Sequence, residues 1–119
     1  MKIKSYLKLA AELARNKKDR RNHCLGAVAI RGDGAIVKAY NGSNHYPEPL
    51  IHCEARLVRK LDFNSTVFLA RTTKDGLWAN SRPCADCMRA LRRVKVKKLY
   101  YTIGPNEFGT IMFKELNES

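Results

Sequence analysis

His52-Cys53-Glu54 and Pro83-Cys84-Ala85-Asp86-Cys87 decide the reading of this chain, with Cys84 standing 32 positions beyond His52. One imidazole and two thiolates are three donors of the kind that hold zinc tetrahedrally. Three protein ligands leave the fourth position to water, and this separates a catalytic zinc site from a closed structural one. Bound zinc lowers the pKa of such a water from about 15.7 toward about 7. Glu54, two residues from His52, can then shuttle protons without itself coordinating the metal. Taken singly, the parts have plainer readings. His52 could be an ordinary helix-start histidine, and Cys84 with Cys87 a redox pair or half of a zinc knuckle. Their joint occurrence with Glu54 and Pro83 selects the zinc site.

Working outward, residues 52–61 predict a helix whose buried face is Ala55, Leu57, Val58 and Leu61. A further helix is expected to begin around Pro83, whose fixed φ suits a first helical turn. On it Cys84, Cys87, Met88, Leu91 and Val94 lie three or four apart and so share a face. Helix starts suit Cys84, Cys87 and Glu54, because the partial positive charge there favours thiolate and carboxylate. Upstream, Ile3, Leu7, Leu9, Ala10, Leu13 and Ala14 follow a helical period over residues 3–16, and 15–22 form a basic loop. Residues 25–30 and 35–40 flank Gly32-Asp33-Gly34 as a β-hairpin. Residues 41–49 are a polar loop, 66–72 a strand, and Lys74-Asp75-Gly76 a turn. Strands are expected at 98–103 and 110–116. Residues 104–109 are too few for a parallel crossover, which needs about a dozen residues, so the last strand should run antiparallel to its predecessor.

The chain has 119 residues, enough for one domain spanning 1–119, and its 45% hydrophobic content fits a globular protein. No apolar run approaches the roughly 20 residues that span a bilayer, and the start Met1-Lys2-Ile3-Lys4 lacks a signal-peptide core. The expected setting is cytoplasmic, where thiols stay reduced and Cys84 and Cys87 can ligate metal. Cys24 and Cys53 read as structural, Cys53 pointing away from its neighbours. A net charge of +12 attracts phosphate-bearing partners. Arg89, Arg92 and Arg93 fall off the buried face of their helix; they would either track a phosphate backbone or form a solvated face. Trp78 reads as core or interface on one account and as a base-stacking platform on another.

Together these residues resemble the cytidine/deoxycytidylate deaminase superfamily of zinc-dependent nucleobase deaminases, over residues 1–116. The resemblance implies an α/β fold, three-layer α-β-α, with a five-stranded mixed sheet. It implies one Zn2+ per chain held by His52, Cys84 and Cys87, with Glu54 as proton shuttle. Substrate contacts would come from Asn41, Ser81, Pro83 and Trp78, although Asn41 before a glycine is equally a plain turn residue. Arg56 would either donate hydrogen bonds to the cysteine sulfurs or simply face solvent, and the chain would form a homo-oligomer, a dimer or tetramer. Tyr40-Asn41-Gly42 with His52-x-Glu54 is similar to deoxycytidylate deaminases. Ser81-x-Pro83-Cys84, Trp78 and the basic surface are similar to polynucleotide deaminases. The expected reaction converts a cytosine base, in a nucleoside or a nucleotide such as deoxycytidylate, to uracil with release of ammonia. One alternative is deamination of cytosine or adenine in single-stranded DNA or RNA, including tRNA. Another is a non-catalytic, zinc-stabilised nucleic-acid-binding module, which would have no need of Glu54.

Overall fold

The computed structural model describes residues 2–15, 24–40, 64–73, 75–83, 85–93 and 95–113. Helix α1, Ile3–Arg15, turns Leu7, Ala10, Ala11 and Ala14 inward on one face. Three of those four are alanines, and a small-residue face lets a helix approach a sheet closely. It does so at Gly26 of strand β1, Cys24–Ile30, where a Cβ would collide with the carbonyl oxygen of Ala10 and lie 2.8 Å from the nitrogen of Ala14. Strand β2, Ile36–Tyr40, pairs antiparallel with β1. The turn between them closes with the Gly34 amide donating to the Arg31 carbonyl at 2.9 Å, Gly34 holding φ +92. The Asp33 carboxylate accepts from the Ala35 amide at 3.0 Å.

Strand β3, Thr66–Thr72, is the centre of the sheet, antiparallel to β1 and parallel to β5, Lys98–Gly104. A strand covered on both faces reads as a continuous apolar run, and Val67-Phe68-Leu69-Ala70 is one, each residue fully buried. The next turn repeats the chemistry of the first. The Thr73 hydroxyl accepts from the Leu77 amide, and Gly76 sits at φ 84. It leads into β4, Trp78–Ala79, which folds back on the end of β3 as Arg71↔Ala79 and Thr72↔Trp78. The sheet runs β2-β1-β3-β5-β6 with β4 attached to β3, so it has six strands where five were expected. Two residues are too short to leave an alternating pattern in a sequence.

Helix α2, Ala85–Arg93, packs Met88 and Leu91 against Ala27, Ala29, Val67, Leu69 and Leu99, while α1 covers the opposite face through Val28, Phe68, Ala70 and Tyr100. The layers are therefore α-β-α, as expected. α2 ends in a Schellman cap: the Val96 amide donates to the Leu91 carbonyl, the Lys95 amide to that of Arg92, and Lys95 adopts φ 58. Leu91 and Val96, the hydrophobic pair that goes with this cap, are both buried in the α2-side core.

Strand β6, Glu107–Met112, runs antiparallel to β5. The expected antiparallel sense holds, but the strand begins earlier than the 110–116 inferred from hydrophobicity. Only Pro105 and Asn106 separate it from β5, with Asn106 at φ 61. A proline followed by a left-handed residue is the pattern of a type II turn. Residues 114–116 of the expected strand, the expected helix 52–61 and the basic loop 16–22 lie outside the described residues. A row of rings ties the α1 side together: Tyr6 on Phe68 at 4.9 Å, Phe68 on Tyr100 at 5.2 Å, and Tyr100 edge-on to Phe108 at 6.1 Å.

Candidate active site

β3 and β5 lie side by side as parallel strands from Thr66↔Lys98 to Leu69↔Tyr101. Beyond Leu69 the segment after β4 enters between their ends, and Ser81 holds it there. The Ser81 amide donates to the Thr102 carbonyl at 2.9 Å, and the Thr102 amide donates to Ser81 Oγ at 2.8 Å. Ser81 Oγ donates in turn to the Leu69 carbonyl at 3.1 Å. Thr102 Oγ1 donates to the Ala79 carbonyl at 2.7 Å and accepts from the Arg71 amide at 3.1 Å. Ser81 and Thr102 are buried, and so is Pro83 just after. α2 begins two residues later. The bonds of Ser81 thus fix the start of the cysteine-bearing helix at the carboxyl ends of the parallel pair, where open α/β sheets place their ligand sites.

The sequence-derived residues are distributed as follows. Asn41, His52, Glu54, Arg56 and Cys84 lie outside the described residues, as does Cys53. Cys87 is described only as a backbone position in the first turn of α2. Among the described residues no three of His, Cys, Asp and Glu gather into a metal site. The donor set itself fits zinc. In the sequence Cys84 immediately precedes Ala85, the first residue of α2, and Cys87 lies in the first turn; two thiols and the His52 imidazole are donor types that zinc takes.

Ser81 was expected to touch substrate. Its hydroxyl is bonded within the sheet at 2% exposure, where it supports the loop that carries Pro83. Trp78 was offered as core or as a stacking platform. It is half-buried against the α1-side cluster, on the sheet face opposite α2, a position that favours the core or interface reading. Arg89, Arg92 and Arg93 are exposed on α2, with Arg92 and Arg93 in its last turn. At a rise of about 1.5 Å per residue, Arg92 stands roughly 10 Å along the axis from Ala85, the first residue of α2. Arg92 and Arg93 complement the negative end of the helix dipole rather than the cysteine end.

Three residues absent from the expected set lie on the α2 face near this point. Tyr101 pairs with Leu69 across the parallel strands and with Gly109 on β6. A Cβ on Gly109 would come within 2.6 Å of the Tyr101 ring and hydroxyl, so the glycine is what lets the ring lie across β6. Arg82 Nη1 donates to the Tyr101 hydroxyl at 3.1 Å, and its guanidinium carbon stands 5.7 Å from the ring centre. Arg71 follows Val67 and Leu69 in the two-residue alternation of β3. Its Nε is buried and has no hydrogen-bond partner among the described residues. A charged residue at a core-facing strand position is a signal that the sequence did contain.

The three-layer α-β-α fold, with Pro83-Cys84-Ala85-Asp86-Cys87 running into α2 in the sequence, is in keeping with a zinc-binding deaminase domain. Residues 1–103 match the family described as the cytidine and deoxycytidylate deaminase zinc-binding region, and the chain belongs to that family. It is 27% identical to the tRNA-specific adenosine deaminase subunit tad2 of Schizosaccharomyces pombe over 88% of its own length, and spans 27% of that protein. In fold it is similar to the cytidine deaminase of Burkholderia pseudomallei, with a TM-score of 0.66 at 16% identity, covering 95% of this chain and 94% of that one. It is likewise similar to the cytidine deaminase of Mycobacterium leprae, with a TM-score of 0.62 at 17% identity, covering 92% and 93%.

Proposed function

We propose that this domain hydrolytically deaminates a nucleobase, with His52, Cys84 and Cys87 holding zinc and Glu54 moving the protons. The observation that carries this reading is the Ser81-pinned loop, which starts the cysteine helix at the carboxyl ends of β3 and β5. Zinc, when bound, would supply a hydroxide nucleophile at neutral pH. Glu54 would take the first proton of the water and deliver it to the ring nitrogen beside the reacting carbon as the oxygen adds. It would then carry the remaining hydroxyl proton of the adduct to the departing amine as the C=O bond forms and the C–N bond breaks. One water is consumed and one ammonia leaves. Positioned proton transfer of this kind is worth about 10²- to 10⁴-fold in rate. The preferred substrate is a cytosine base in a nucleoside or a nucleotide such as deoxycytidylate, in keeping with the family and the cytidine deaminase folds.

A second reading, deamination of adenine or cytosine within RNA or single-stranded DNA, is favoured by the similarity to a tRNA-specific adenosine deaminase subunit and by the net charge of +12. Ammonia release by the zinc-loaded chain tests both. The panel is cytidine, deoxycytidine, deoxycytidylate, adenosine, and short single-stranded DNA and RNA. Release from one small nucleoside or nucleotide supports the first reading, and release from oligonucleotides alone, declining with salt, supports the second. Glu54→Ala should retain one zinc per chain and lose turnover; activity unchanged in that variant would refute the assignment.

A further inference from the structure

The arrangement around Tyr101 concerns how substrate is held, and so rests on the deaminase reading. Arg82 is exposed, yet its guanidinium is already ordered, donating one N–H to the Tyr101 hydroxyl and lying over the ring. A guanidinium carries five N–H donors in a fixed fork that matches phosphate, so giving one to Tyr101 leaves others for an anion. Ordering the fork beforehand reduces the side-chain entropy lost on binding. The order is built in layers: Gly109 clears the space for Tyr101, Tyr101 holds Arg82, and the buried Ser81 fixes the backbone beside Arg82. Arg71 shares this sheet face by strand alternation, its backbone amide donating to Thr102 Oγ1, and its buried Nε has no hydrogen-bond partner among the described residues.

We propose that Arg82, held by Tyr101 over Gly109 and assisted by Arg71, is the phosphate-binding group for a phosphorylated nucleoside substrate. Two peptide units separate Arg82 from Cys84, so their Cα atoms stand within about 7.6 Å. Arg82 therefore lies, along the chain, beside the start of α2. The exposed cations at the far end of α2 do not. The phosphate can belong to a free nucleotide or to the backbone of a single strand, and the chemistry of recognition is the same.

The experiment uses the full chain loaded with zinc and two readouts. The first follows the Arg Nε–Hε NMR resonances during titration with inorganic phosphate. The Arg82 resonance, assigned by its loss in Arg82→Lys, should shift and saturate, and Gly109→Ala should weaken that response. The second compares kinetics on cytidine, cytidine 5′-monophosphate and a short single-stranded oligonucleotide. Arg82→Ala should raise KM for phosphate-bearing substrates about tenfold or more, with kcat retained and cytidine within about twofold. Arg82→Lys should recover part of the loss. An effect on the monophosphate identifies a terminal phosphate as the ligand; an effect confined to the oligonucleotide identifies the backbone. Equal losses on cytidine and its monophosphate, or an Arg82 resonance indifferent to phosphate, would overturn the proposal. If no base is deaminated but the resonance saturates and depends on Gly109, the phosphate site stands and the deaminase reading falls.

Discussion

Removing the Ser81 hydroxyl separates a support role from a substrate contact. In Ser81→Ala, the Thr102 amide loses its acceptor at 2.8 Å and the Leu69 carbonyl loses its donor at 3.1 Å. Thr102 is fully buried and Ser81 nearly so, and water does not take over there. An unpaired buried backbone donor costs about 1–3 kcal/mol, and the orphaned carbonyl adds a smaller amount, so about 3 kcal/mol is expected in all. For a chain of 119 residues, that lowers the melting temperature by about 12 °C. The same loop carries Pro83 and leads into the cysteines, so the variant should also hold zinc about 10- to 100-fold less tightly, as when a positioning hydrogen bond is lost. Circular-dichroism melts of zinc-loaded and chelator-treated protein measure the first effect, and competition with a chromogenic chelator measures the second. The reasoning fails if Ser81→Ala melts within about 2 °C of the parent, keeps its zinc, and shows only a raised KM. That result would make Ser81 the substrate contact that its position before Pro83-Cys84 first suggested.

Gly26→Ala should force α1 off β1, since its Cβ would meet the Ala10 carbonyl and the Ala14 nitrogen. A loss of about 2–3 kcal/mol follows, read as a melting temperature lower by about 10 °C, and a shift under about 2 °C would refute the close approach. Lys95→Gly relieves a left-handed backbone at φ 58 and should raise the melting temperature by about 2–4 °C. No gain would show that the Schellman cap is absent. Trp78→Ala removes a half-buried ring from the α1-side core and should cost about 2 kcal/mol in a denaturant titration with KM unchanged. A tenfold rise in KM at unaltered stability would return Trp78 to a base-stacking role.

The central strand was legible to the residue, because the apolar run Val67–Ala70 has no other use than burial from both sides. The hairpin around Gly32-Asp33-Gly34 was legible from its turn chemistry. The start of β6 was missed because hydrophobicity was followed past Gly104-Pro105-Asn106-Glu107, whose proline and asparagine spell a tight turn. β4 was invisible as a strand, since its pairing depends on where the Gly76 turn aims the chain. In the site, donor chemistry and spacing identified the candidate ligands, because zinc restricts the residue types that can serve. Ser81 and Trp78 could not be placed that way. A serine beside a motif is as good a hydrogen-bond knot as a ligand contact, and only the register of β3 against β5 decides which.

The row of rings Tyr6, Phe68, Tyr100 and Phe108 joins the first helix to the last strand across most of the chain. A polypeptide leaves the ribosome from its amino end, so α1 emerges long before two of the rings it belongs with. Until residue 100 is free, Tyr6 and Phe68 can stack but half of the row is missing, and Phe108 is the last ring to join. Completion of this face therefore waits until β6 has been made, and fragments stopped short of β6 should present sticky aromatic surface to chaperones and proteases.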